Sequence, residues 1–248
     1  MSKTFFSKMK PLLALCMLIP FMGMSQTQKN VVSTHRVFPK MDKVLEFEKA
    51  LAAHAQKYHT GDVKWRVFQI QSGPDMGGYH ITEGPNSWEG LDSRGNLGDE
   101  HNTDWHKNVA VYLTDRQSGG YSVYEDSLST IAVGDFTDKI QIDHLYPKLG
   151  SADKVRKILA QRRKVWQANG NTVAVYSSNA SGPAQFAVVS RLKQGLKEKT
   201  PGFRKPFKAT YEGIFGEDSL EDHIQSIREN TNEVWSEVLF LRKDLSSK

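Results

Sequence analysis

The sequence predicts an α+β protein made of two tandem ferredoxin-like repeats, each running strand, helix, strand, strand, helix, strand. Three observations lead there. Val37-Phe38-Pro39-Lys40-Met41 and Leu145-Tyr146-Pro147-Lys148-Leu149 each close a strand pattern and precede an Asp-Lys-Val triplet, at 42–44 and 153–155. Each triplet opens an amphipathic helical pattern, and the strands beyond it end in Ser72-Gly73-Pro74 or Ser181-Gly182-Pro183. The offset also holds, with 32 residues from Asp42 to Gly73 and 30 from Asp153 to Gly182. Landmarks that keep register over such a distance indicate internal duplication.

Element by element, the first repeat starts with a strand at 31–38 and a helix at 42–58. In that helix Val44, Phe47, Leu51, Ala55 and Tyr58 share one stripe. Strands at 63–70 and 79–82 follow, then an irregular stretch at 83–100 and a helix at 101–113. Weak strand signal returns at 121–124 or 129–133. The second repeat predicts strands at 140–146, 172–177, 186–190 and 234–242, and helices at 153–168 and 220–230. Both crossovers should be right-handed, which puts the two helices of a repeat on one face of its sheet.

The other face needs a cover. Val234, Val238 and Phe240 alternate with Trp235, Leu239 and Leu241, and Phe186 and Val188 alternate with Ala187 and Val189. Strands apolar on both sides are buried on both sides. The two sheets therefore face each other, or each faces a second chain.

The N-terminus reads as an export signal. Lys3, Lys8 and Lys10 precede an apolar run, Gly23 and Ser25 supply small residues, and cleavage is expected between Ser25 and Gln26. The expected organisation is a signal peptide at 1–25 and repeats at 26–138 and 139–248, in a periplasmic or secreted protein. The run is too short to span a membrane, which takes about 20 apolar residues, so the mature chain is expected to carry no transmembrane anchor. Its single cysteine, Cys16, lies in that segment, so the mature chain has no thiol for disulfides, thiol catalysis or a cysteine metal site. Bulky Leu15 ahead of Cys16 argues against lipidation. Removing three lysines leaves 30 basic against 28 acidic residues, a balance that speaks against a nucleic-acid partner.

With its repeated strand ends Phe38-Pro39-Lys40 and Tyr146-Pro147-Lys148, the helices behind them and its aromatic-rich strands, the chain resembles the dimeric α/β-barrel superfamily. The resemblance covers most of residues 31–245 and implies an α/β-barrel-type arrangement of the repeats. That superfamily includes antibiotic-biosynthesis monooxygenases, haem-degrading enzymes, chlorite dismutase-like haem proteins and uncharacterised exported tandem-repeat members. Its motifs define architecture and not chemistry. No catalytic residue carries over, because neither the haem histidine nor the haem-degrading set has a match here.

Candidate site residues come from the histidines and tryptophans. His35 and His144 open the two repeats and His80 sits on the third strand beside Tyr79, each able to serve as general base or ligand from inside a barrel. Trp65, Trp88 and Trp105 either line an apolar cavity between sheet and helices or fill the core. The stretch 84–92 is long for a connection, a common mark of a functional loop. His54 and His59 lie five residues apart, about 140° around a helix, and so do His101 and His106; on that spacing neither pair shares a face and no metal site is expected. Asp99, Glu100, His101 and Asp104 read as negative charge at a helix start. The basic stretch 191–208 reads as a solvated loop broken by glycine and proline.

Two functional readings follow. In the first, an exported, non-catalytic protein binds a small apolar molecule or a protein partner, possesses no cofactor and is compatible with a homodimer. In the second, it is a monooxygenase-type oxidoreductase, haem-dependent or cofactor-free. Hydrolase chemistry ranks below both, since no nucleophile elbow or zinc-protease signature occurs.

Overall fold

The computed structural model describes Met1 and residues 28–248; the expected signal peptide, its Ser25–Gln26 junction and Cys16 lie outside the described region. The first repeat contains β1 (Val31–Pro39), α1 (Val44–Tyr58), β2 (Trp65–Ile70), β3 (Tyr79–Asn86), α2 (Trp88–Arg94), α3 (Asp99–Asp104) and β4 (Leu113–Tyr124). The second contains β5 (Lys139–Pro147), α4 (Ala152–Ala168), β6 (Val173–Asn179), β7 (Phe186–Arg191), α5 (Phe207–Phe215), α6 (Ser219–Asn230) and β8 (Thr231–Leu241). The duplication is plain: β4-β1-β3-β2 and β8-β5-β7-β6 are the same antiparallel sheet drawn twice.

The sheets join at both edges. β2 pairs with β8 through Phe68–Ile70 and Leu239–Leu241, and β4 pairs with β6 from Tyr121 to Tyr124. The result is one closed eight-stranded barrel within a single chain. Closure pairs the two edge strands at each seam and turns the inner faces toward each other, while the exposed start of β4, before Tyr121, runs on beyond its β6 partner. A second copy is not needed to cover the sheets.

Alternation along the strands divides the apolar residues into three cores. Phe68, Ile70, Ile142, Val189 and Leu239 point inward. Val37, Phe47, Leu51, Tyr79 and Ile81 pack between the first sheet and α1. Leu145, Val155, Leu159, Phe186 and Val188 do the same under α4. The two-sided pattern of β7 is thus a barrel wall, greasy toward its lumen and toward its helices, whereas on β8 the outward Val234 stays 48% exposed.

The connection between the repeats covers one mouth. Ile131 and Val133 pack on the inner core, and Arg66 stacks on Phe136 at 3.6 Å. Arg191, 2% exposed, donates to the carbonyl oxygen of Val133 at 3.0 Å and to the Tyr176 hydroxyl at 2.8 Å.

Several elements differ from expectation. The helix expected at 101–113 is α3 followed by a wide π-type turn at Trp105–Val109 and a tight turn at Ala110–Tyr112. The weak strand signal at 121–124 is the end of a twelve-residue strand, β4, whose start is polar and exposed and so carries no apolar alternation. The alternative at 129–133 is not a strand. The basic stretch is not a plain solvated loop, since it begins with buried Arg191 and ends by entering α5, which has an aromatic stripe of Phe207, Tyr211 and Phe215.

Candidate functional site

The barrel lumen holds a cavity of about 310 Å³. Its apolar wall comes from inward positions of β1, β2, β5 and β7, among them Val32, Phe68, Ile142 and Val189. Its polar groups gather around His80, His144 and Arg36. The volume falls at the lower end of the roughly 300–1,000 Å³ range of small-molecule pockets and suits a compound of two or three fused rings.

A charged network is built into the wall. Glu237 on β8 is fully buried, and it accepts from Arg36 at 3.1 Å and from His144 Nε2 at 2.8 Å. Arg36 also pairs with Asp75 at 2.6 Å, and Asp75 in turn meets Arg116. Burial works against the charge on Arg36, but Glu237 and Asp75 outweigh it and hold the guanidinium above its ordinary pKa. On the far side of the His144 ring the Gln185 amide donates to Nδ1, and Trp235 stacks on the ring with centroids 3.9 Å apart. Both nitrogens of His144 are therefore engaged, with the proton on Nε2 toward Glu237.

His80 is different. It is 8% exposed, it lines the cavity, and its Nδ1 has no hydrogen-bond partner. Burial first, then the positive charge of Arg36 and the neighbouring His144, hold its pKa well below the ordinary imidazole value. The ring is neutral at pH 7. An unpartnered buried acceptor costs on the order of 1–3 kcal/mol unless something supplies a proton or a donor.

Of the residues singled out from sequence, only His80 and His144 enter this cavity. His35, Trp65 and Trp105 lie on the outer face of the first sheet, where Trp65 and Trp105 meet edge to face at 5.9 Å and His35 lies 6.0 Å from Trp105. Trp65 and Trp105 pack under α1, and Trp65 and His35 also line a second cavity of about 580 Å³ beside Leu91 and Arg94 of α2, apart from the lumen. Trp88 is 41% exposed and touches Tyr121, away from the other two. Arg36, Glu237, Trp235 and Gln185 were not singled out. A signal existed, because Glu237 shares the inward parity of Trp235, Leu239 and Leu241, and a lone acid in that row demands a buried partner.

Haem, which the superfamily resemblance raises, does not fit this lumen. An axial histidine needs a free nitrogen over an open plane, yet both His144 nitrogens are bonded and His80 faces a cavity of about 310 Å³. A four-pyrrole macrocycle exceeds what two or three rings fill.

No family model matches the chain, and no curated protein matches it. Solved structures do. The structure of an anthrone oxidase-like protein aligns with a TM-score of 0.54 at 13% identity, covering 87% of this chain and 92% of that one. A protein named "putative monooxygenase" from Fusobacterium nucleatum aligns at 0.53 and 10% identity, covering 86% and 92%. A mutant chlorite dismutase from Candidatus Nitrospira defluvii aligns at 0.50 and 5% identity, covering 88% and 94%. At such identities the likeness establishes the fold alone. That fold is the dimeric α/β barrel, here with both ferredoxin-like halves in one polypeptide.

Proposed function

We propose that the barrel lumen binds a small aromatic weak acid and that His80 takes its proton, opening an oxygenation in which the substrate itself reduces O₂. The observation that carries this reading is His80 itself, a neutral ring that lines the lumen cavity and whose buried Nδ1 has no hydrogen-bond partner. The names of the similar structures, an anthrone oxidase-like protein and a monooxygenase, support the same class.

The chemistry balances without an outside reductant. A CH₂ group conjugated through the fused rings to a carbonyl loses a proton to His80, and the electron pair stays on the substrate as a delocalised enolate. The imidazolium and the enolate then compensate each other's charge in a low-dielectric lumen. The enolate passes one electron to O₂, the radical pair combines into a C–O bond, and the proton returns from His80 to give a hydroperoxide. Loss of water converts that carbon to a ketone. In sum, CH₂ and O₂ become C=O and H₂O. Non-catalytic binding, the first sequence reading, uses the same cavity and stops before deprotonation.

The test uses anthrone as probe, with tryptophan fluorescence for binding and an oxygen electrode for turnover. The expected result is quenching in both wild type and His80→Gln, with oxygen uptake reduced at least 100-fold in the variant. Binding without uptake in wild type leaves the non-catalytic reading standing and sinks the oxygenase. Absence of quenching sinks both.

We also propose export, on the sequence of residues 1–25. N-terminal sequencing of the protein recovered from a bacterial host's periplasm or medium is expected to begin at Gln26. A cytoplasmic product retaining residues 1–25 would overturn it.

A further inference from the structure

Outside the barrel, three histidines converge that the sequence spacing had kept apart. His54 lies in α1, His59 caps the C-terminal end of that helix, and His101 comes from α3. The helical-wheel objection fails because His59 has left the helix, with φ −105° and ψ 73°, so 100° per residue no longer sets its direction. One nitrogen from each ring lies within 4.8 Å of the others. His54 and His59 are buried, and His101 is half-buried.

The proton positions can be read from the partners. His54 Nδ1 faces Asp104 Oδ2 at 2.7 Å, His59 Nδ1 faces the Val63 carbonyl at 3.3 Å, and His101 Nδ1 faces Asn102 Oδ1 at 3.1 Å. Each of these is an oxygen acceptor, so each Nδ1 carries the proton and each Nε2 keeps a bare lone pair. His59 Nε2 and His101 Nε2 then lie 3.3 Å apart with no proton between them. His54 Nε2 is buried without any partner. Lone pairs facing one another in this way are repulsive unless a cation sits among them.

We propose that His54, His59 and His101 bind a divalent late first-row transition metal of the Zn²⁺ class through their Nε2 atoms. Tetrahedral geometry with bonds of about 2.0–2.1 Å sets neighbouring ligand nitrogens about 3.3 Å apart, which is the separation of His59 and His101. Imidazole ligands suit Zn²⁺ and its neighbours over Mg²⁺ or Ca²⁺. The acceptors on the Nδ1 atoms are the outer partners that metal-bound histidines ordinarily carry, and they fix ring orientation. Aromatic walls lock the rings further: Trp65 stacks on His59 at 3.4 Å, and Trp105 meets His54 edge-on at 5.3 Å. Three protein ligands leave a fourth position for solvent or an added ligand. The ion would tie the end of α1 to α3, independently of the lumen and of whatever occurs there.

The test is titration of chelator-stripped full-length protein with Zn²⁺ alone by calorimetry, and with Co²⁺ alone by visible absorption. The expected result is one equivalent bound with a dissociation constant at or below the micromolar range, and intense tetrahedral Co²⁺ bands. His101→Ala, at the partly exposed ligand, should weaken Zn²⁺ at least 100-fold and abolish the bands while circular dichroism stays unchanged. Asp104→Asn should weaken binding 10- to 100-fold. His106→Ala, at an exposed neighbouring histidine, should change nothing. No heat of binding in wild type, or equal affinity in wild type and His101→Ala, would overturn the site.

Discussion

At the scale of single residues, the protein keeps several histidines neutral by burying them. Burial lowers His54 and His223 to about 4, with further lowering of His223 by Arg162, and it holds His80 well below the ordinary value. The unfolded chain titrates near 6.5, so between pH 6.5 and 4 it binds more protons than the folded chain. The contributions of His54 and His223 are therefore fully present above 6.5, are lost as pH falls through that window, and level off near 4. A single shift from 6.5 to about 4 amounts to ~3 kcal/mol. Urea midpoints of metal-free protein at pH 7.0 and 4.5 should show the loss, and His223→Phe, beside Phe207 and Tyr211, should show a smaller one. A midpoint that does not move with pH in wild type would contradict the assignment. His35, His80 and His144 were all legible as strand histidines, but only His80 and His144 fall at inward positions, while His35 lies on the outer face by Trp105. His54 and His59 were misjudged because a helical wheel assumes that the helix continues, whereas it ends between them.

At the scale of elements, legibility followed apolar periodicity. β1, β5, β7 and α4 lie within two residues of their expected bounds, since each carries an unbroken two- or 3.6-residue pattern. β3 runs on to Asn86, farther than expected, because its later half includes Glu83, which is buried against Arg94, the Trp65 indole and the His59 ring. β4 was reduced to its last four residues for the opposite reason, being polar along most of its length and held by pairing with β1 from Val31 to Pro39. Pairing of that kind leaves no mark in local composition. The segment from α2 to the π-type turn at Trp105–Val109 is irregular for a positive reason: it brings His101 and Asp104 over the end of α1. A straight helix through 101–113 places successive residues at fixed angles, and here the π-type turn resets them.

At the scale of the whole molecule, each half is an open sheet with helices on one side and apolar side chains on the other. The barrel closes because two such halves present complementary edges, at β2 with β8 and at β4 with β6. The halves should therefore not be independent. Residues 26–138 or 139–248 produced alone should aggregate or self-associate, while the two co-expressed should recover a single species with one cooperative urea transition. Size-exclusion chromatography with chemical denaturation checks this, and a well-folded monomeric half would contradict it. No helix among the described residues is long and apolar enough to cross a membrane.

The sequence by itself determined the repeat, the order of strands and helices within it, and the fact that its sheets are covered on both faces. Those properties are local or periodic, written into alternation and landmark spacing. Only the tertiary structure decided that the cover is the sibling repeat and that the lumen is neutralised by Arg36 and Glu237, 201 positions apart. It also decided that three histidines from two helices and a cap meet at one point. Such juxtapositions depend on how the chain returns on itself, and no window of neighbouring residues contains that information.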